Sequence, residues 1–170
     1  RDFKRYPWTI GYIPSYQTEG VVLARNVVRT KPAAKIAVLY QDDDYGKDLL
    51  AGFKRGLGTK AGQIVKAVGY DPTGADVSSQ VSELRASKAT VFMVFAFGKF
   101  AIQSFVYANK LGWKPRIYVN DVASASSIMK LNPQGTAEGA ISIAWGKDPA
   151  TPKFANDPGV KLAAKIIKKY

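Results

Sequence analysis

The sequence predicts an α/β fold built on a doubly wound parallel sheet, and three observations carry that prediction. Short apolar runs of four to seven residues alternate with amphipathic stretches of ten or more. The runs Ile36–Tyr40 and Thr90–Ala96 are apolar almost throughout, as strands buried on both faces must be. Each run ends in a polar or glycine-containing loop that opens the next helix, so these loops gather at the carboxyl edge of the sheet, where open α/β sheets bind ligands.

Trp8–Ile13 reads as an extended segment closed by Pro14-Ser15. Gln17 to about Arg29 is helical by pattern, with Val21, Ala24 and Val28 on one face, and Lys31-Pro32 stops it. After the strand Ile36–Tyr40, the acidic loop Gln41-Asp42-Asp43-Asp44 leads into a helix from Tyr45 to about Leu57, whose Leu49, Leu50, Phe53 and Leu57 share a stripe. Gly58 and Gly62 punctuate the way to a second strand, Ile64–Tyr70. Asp71-Pro72-Thr73-Gly74 is a loop by turn chemistry, and Asp76 is placed as the N-cap of a helix carrying Val77, Val81 and Leu84.

The third strand, Thr90–Ala96, passes through Phe97-Gly98 into a helix carrying Ala101, Phe105, Ala108 and Leu111, with Gly112 at its C′ position. A fourth strand, Ile117–Val119, precedes Asn120-Asp121 and a Ser-rich helix from Ala123 to about Leu131. Ala140–Trp145 reads as a fifth strand, 146–156 as irregular, and Val160–Tyr170 as a last helix. The sum is a Rossmann-like three-layer αβα arrangement, with right-handed crossovers placing helices on both faces. The organisation expected is an entry segment over residues 1–16, one ligand-binding α/β unit over 17–145, and a crossover segment with the final helix over 146–170. Arg1-Asp2-Phe3 does not resemble a natural start, and the chain is expected to be part of a longer protein.

Composition removes several function classes. Cysteine and histidine are both absent, so thiolate metal sites, disulfides and every Ser-His or Cys-His catalytic arrangement are excluded. No apolar run is long enough to span a bilayer as a helix. The net charge of +12 would suit an anionic partner. Its distribution argues against nucleic acid: Lys31/Lys35, Lys54/Arg55 and Lys161/Lys165/Lys168/Lys169 fall at helix ends or on polar helix faces, and no nucleic-acid-binding module is visible.

Asp42-Asp43-Asp44 could form a metal or phosphoacceptor pocket of the response-regulator kind. That chemistry also needs an aspartate ending the third strand and a lysine ending the fifth, where Phe95-Ala96-Phe97 and Trp145-Gly146 stand instead. A solvated loop capping the next helix explains the acids better. Neither a Gly-x-Gly-x-x-Gly nor a P-loop pattern follows a strand. No cofactor or metal is expected.

Tyr45, Phe97 and Asp121 each follow a different strand, and Tyr16 sits on a nearby loop. Aromatic walls around one carboxylate suit a small organic molecule bearing an amine. Singly, the two aromatic residues read better as core and Asp121 as a helix N-cap; their shared edge shifts the balance toward a site.

The motifs Gln41-Asp42-Asp43-Asp44-Tyr45-Gly46-Lys47, Asp76-Val77-Ser78-Ser79-Gln80-Val81 and Leu111-Gly112-Trp113-Lys114-Pro115 resemble those of substrate-binding proteins of branched-chain amino acid ABC transporters. Lys147–Pro152 and Asn156–Gly159 resemble the same family near its crossover. The resemblance covers nearly the whole chain but about half of such a protein, which is a two-lobed, type I periplasmic binding protein. It implies the second lobe, with Trp8–Ser15 and Trp145–Asp157 flanking the hinge. It also implies a periplasmic or other extracytoplasmic location, an ABC permease and a first lobe as partners, and binding by hinge closure without catalysis.

By the same resemblance Tyr45 lines the ligand cleft, Phe97 takes the place of an aromatic residue that is often tyrosine, and Asp121 takes the place of a carboxylate, often glutamate, that binds the ligand ammonium. Phe97 lacks the hydroxyl and Asp121 is one methylene shorter, so aromatic acids and amides stand beside amino acids as ligands. A ligand-sensing domain of a regulator or receptor, and an amide hydrolase on the same fold, are the alternatives from other classes.

Overall fold

The computed structural model describes residues 4–133 and 135–169. The expectation resting on residues 1–3, and the final residue of the last predicted helix, Tyr170, lie outside them. Four parallel strands form one sheet in the order β2-β1-β3-β4: β1 Ile36–Gln41, β2 Ile64–Tyr70, β3 Val91–Phe95 and β4 Arg116–Val119. The interior position of β1 follows from its composition, since every residue from Ile36 to Leu39 is fully buried.

Successive side chains of the central strands point to opposite faces, and each face has its own helix pair. Ile36, Val38, Val91, Met93 and Phe95 pack against α1 (Tyr16–Thr30) and α2 (Asp44–Leu57). Ala37, Leu39, Phe92 and Val94 pack against α3 (Ser78–Ala86) and α4 (Lys99–Lys110). The predicted helices on both faces are therefore present. The α1–α2 pair is unusually intimate: a Cβ on Gly52 would lie 2.1 Å from the Gln17 carbonyl oxygen, and one on Gly20 would lie 2.3 Å from that of Leu49. Only glycine lets the two backbones approach so closely.

The motif around Gly112 is structural. Gly112 takes φ +64°, its N–H donates to the Asn109 carbonyl and the Trp113 N–H to that of Ala108, which closes α4 in a Schellman turn. Trp113 then packs on Phe92, ring centroids 4.7 Å apart, and its Nε1–H donates to the Ala89 carbonyl at 3.1 Å.

Several predicted elements differ. Ala140–Trp145 is not a strand; only Ile141 pairs, as a parallel bridge to Tyr118. The cause is the brevity of β4, which turns away after Val119 and leaves residues 142–145 no neighbour to pair with. The Ser-rich helix is two short turns, α5 (Asp121–Ser124) and α6 (Ser126–Met129), broken at Ala125 with ψ 139°. There Ser124 Oγ donates to the Asp121 carbonyl and the Ser126 N–H donates to Asp148, so side-chain bonds replace helical ones. Asp76 accepts from the Ser78 N–H and Oγ, but Val77 occupies the N-cap position. Trp8–Ile13 joins no sheet, and Trp8 and Tyr12 are 95% and 100% exposed. The last helix, α7 (Pro158–Lys169), buries none of its residues. Among the described residues no helix is long and apolar enough to cross a membrane.

Candidate functional site

Because β1 lies between β2 and β3, the crossover from β1 runs one way and the return to β3 runs the other. The loops that leave the carboxyl ends of β1 and β3 part company there and open a crevice. The loop after β1 is held rigidly. Asp43 is the N-cap of α2, accepting from the Gly46 N–H at 3.1 Å, and Gln41 Nε2 donates to its other oxygen at 2.6 Å. Tyr70 Oη donates to Gln41 Oε1 at 2.8 Å, and burial pushes its phenol up to about 12. Asp42 pairs with Lys47 at the surface. The acidic run thus serves as cap and surface pair, as the simpler sequence reading had it. Gly46 is required, since a Cβ there would meet the Gln41 carbonyl oxygen at 2.0 Å.

This loop sets Tyr45 at the crevice floor. Its hydroxyl points inward and shares its one proton between the Ala96 carbonyl at 3.2 Å and the amide oxygen of the fully buried Asn120 at 2.7 Å. Asn120 in turn donates to the carbonyls of Val94 and Ala96 at 3.1 and 2.9 Å. Burial drives the Tyr45 phenol far above its ordinary value, so it stays neutral. What Tyr45 offers a ligand is its ring. Tyr16, the first residue of α1, stands edge-on to that ring, centroids 4.8 Å apart at 78°.

Tyr16, Tyr45 and Phe97 line one open hollow of ≈ 300 Å³, together with Gln41 and Val122. Phe97 remains 52% exposed, an apolar ring presented to solvent at the end of β3. Three of the four predicted residues therefore meet. Asp121 does not share this hollow. It lines the adjacent one of ≈ 480 Å³, between α5 and residues 144–151, and Val122 borders both. Partial burial raises its pKa, and the nearby Trp145 backbone opposes the shift. Asn120, not Asp121, is the N-cap of α5.

Sequence reasoning missed Glu19. It lies in the first turn of α1, only 2% exposed, and its Oε1 accepts the Asp121 N–H at 2.5 Å. Burial raises its carboxyl from 4.5 to about 7, the hydrogen bond opposes this and the Asp121 charge adds to it. Asn120, Gln41 and Val122 were missed as well, though Asn120 and Val122 flank Asp121, which was singled out.

An aromatic-walled hollow at the switch point of a parallel α/β sheet lies where such folds hold small ligands. The chain is a member of the periplasmic binding protein family, whose model matches residues 1–165. It is 34% identical over 82 residues to Leu/Ile/Val-binding protein homolog 8 of Brucella abortus (strain 2308), covering 48% of this chain and 20% of that protein. An extracellular ligand-binding receptor from Rhodopseudomonas palustris HaA2 superposes with a TM-score of 0.80 at 20% identity, over 97% of this chain and 45% of that one. A branched chain amino acid ABC transporter from Thermus thermophilus with bound valine gives 0.75 at 19% identity, over 92% and 40%. The chain thus spans less than half the length of these solved structures, which bear out the type I fold.

Proposed function

We propose that this chain is the second lobe of an extracytoplasmic solute receptor that delivers a small amino acid or related compound to an ABC permease. The observation that carries the reading is the hollow of Tyr16, Tyr45 and Phe97: apolar, preformed and open on one side, it is half of a cleft. A first lobe closing over it would exclude water and supply the missing wall by hinge motion. The exposed Trp8, Ile10 and Tyr12 and the exposed Leu162 and Ile167 of α7 flank the proposed lobe as segments that the rest of the receptor would cover. Asp121, at the edge of the hollow, would take the ligand ammonium. Binding involves no covalent step, so the module is not an enzyme.

Aromatic acids and amides form a second reading. It is favoured by Phe97, which adds no hydroxyl, and by Asp121, which lines the neighbouring hollow rather than that of Tyr45. A thermal-shift screen of the two-lobed receptor against amino acids, aromatic acids and amides decides between them, because a ligand that binds only the folded state raises Tm. A response to none of the three classes would sink the proposal, and turnover of an amide would replace it with the hydrolase.

A further inference from the structure

Glu19 has no part in shaping either hollow, yet it touches Asp121, the neighbour of the residue that joins them. Its carboxylate reaches from the first turn of α1 to the backbone of Asp121, 102 positions on, and is buried in the process. The element that packs across it, α5, presents the Asp121 N–H and the Asp121 carboxylate, and α2 presents the neutral Tyr45 phenol. Among the described residues no lysine or arginine forms an ion pair with Glu19 or acts on its charge. A buried carboxylate without a counter-cation, beside a second carboxylate at a ligand hollow, is costly when both are ionised.

We propose that Glu19 is a proton-linked positioning residue: ionised, it grips the Asp121 N–H and fixes the rim at Asp121-Val122, and a cationic group bound beside Asp121 drives its proton off to solvent. A charged acceptor makes the shorter and stronger bond, so loss of the proton tightens the grip on α5. An ammonium near Asp121 supplies the counter-charge that both carboxylates lack, so its binding favours the ionised form. Ligand uptake and proton release are then two sides of one equilibrium, and each must promote the other to the same extent. The coupling also reads the ligand's charge. A cation binds better as pH rises through the Glu19 titration, whereas an anion would bind worse.

The grip itself does not depend on the receptor reading; the ligand arm does, and two measurements keep them apart. In the free chain, carbon-13 and nitrogen-15 NMR between pH 5.5 and 8.5 should show the Glu19 carboxyl and the Asp121 amide titrating together near 7. In Glu19→Gln, which keeps an oxygen acceptor of the same shape, the Asp121 amide should no longer follow that transition. An Asp121 amide that is flat in the wild type, or that still titrates there in Glu19→Gln, overturns the proposal. With L-leucine as the ligand of the two-lobed receptor, affinity should be about tenfold higher at pH 8 than at pH 6 in the wild type, and equal at the two pH values in Glu19→Gln. Leucine affinity independent of pH in the wild type overturns the coupling. If leucine binds at no pH, the amino-acid reading falls, and the amide titration alone still decides the grip.

Discussion

Tyr45 Oη donates to the Ala96 carbonyl at 3.2 Å, tying the start of α2 to the end of β3 across the switch point. The Tyr45 hydroxyl is thus spent on the scaffold. Tyr45→Phe should therefore act on stability first. It leaves the Asn120 amide oxygen, fully buried, without its nearest donor, at a cost of about 1–3 kcal/mol. For a domain of this size each kcal/mol lowers Tm by about 2–4 °C. Ligand affinity of the folded variant should change less than threefold, because the ring survives; a large loss of affinity at unchanged Tm would place the hydroxyl in the cleft after all.

Phe97 behaves in the opposite way. Half exposed after β3, it contributes little to the core, so Phe97→Ala should leave Tm within about 2 °C. Its ring is one wall of the hollow, and losing it should weaken an apolar ligand by about tenfold or more in a two-lobed receptor. Calorimetry and a melting curve on the same sample test both halves of the statement.

Gly52→Ala should be severe. The new Cβ would lie 2.1 Å from the Gln17 carbonyl, a backbone atom that cannot swing aside, so α1 and α2 must separate. Overpacking of this kind costs about 1–3 kcal/mol, occasionally more. Gly62→Ala is the control, since its Cβ would meet nothing within 4 Å. Equal melting temperatures for the two variants would contradict the packing.

Much of this was legible in the sequence, and the reason is local. Ile36–Tyr40 and Thr90–Ala96 announce themselves because a doubly covered strand must be apolar at every position, and Gly112 because a helix end needs a left-handed residue. The hollow was legible in part: Tyr45 and Phe97 follow strands, so their edge was fixed once the strands were. The rest depends on partners distant in the chain. Ala140–Trp145 has strand composition but no neighbour beyond Ile141. Glu19 looks like any acid in a first helical turn, and only the arrival of Asp121 buries it. That Asp121 borders a hollow closed by residues 144–151 likewise depends on a segment distant in the chain, which no spacing in the sequence reveals.

Burial of Glu19 also predicts how stability depends on pH. Unfolded, this carboxyl ionises near 4.5; folded, it holds its proton to about 7. Between those values the folded chain binds more protons than the unfolded, so the group's contribution to stability falls as pH rises through the window. Glu19→Gln removes the cost of the buried charge. It should be stabilising above pH 7, by at most about 3 kcal/mol, and nearly neutral below pH 4.5. Urea unfolding at pH 4.5 and pH 8 measures the difference, and a variant less stable than wild type at pH 8 would refute it.

Asp121→Asn tests the proposed ammonium contact. The side chain keeps its size, and Asn120 rather than Asp121 caps α5, so no helix start is lost. The repulsion with Glu19 disappears, which raises stability slightly at pH 8 if it changes it at all. A ligand ammonium, by contrast, would lose its charged partner inside a closed cleft, a loss of about 2–5 kcal/mol. In a two-lobed receptor, amino-acid affinity should therefore fall about thirtyfold or more while Tm without ligand holds. The control is a ligand of the same shape without the amine, such as the corresponding carboxylic acid, which should bind the variant as well as or better than the wild type. Unchanged amino-acid affinity in Asp121→Asn would remove the ammonium from this corner. It would leave the ring faces of Tyr16, Tyr45 and Phe97 to hold an aromatic acid or amide.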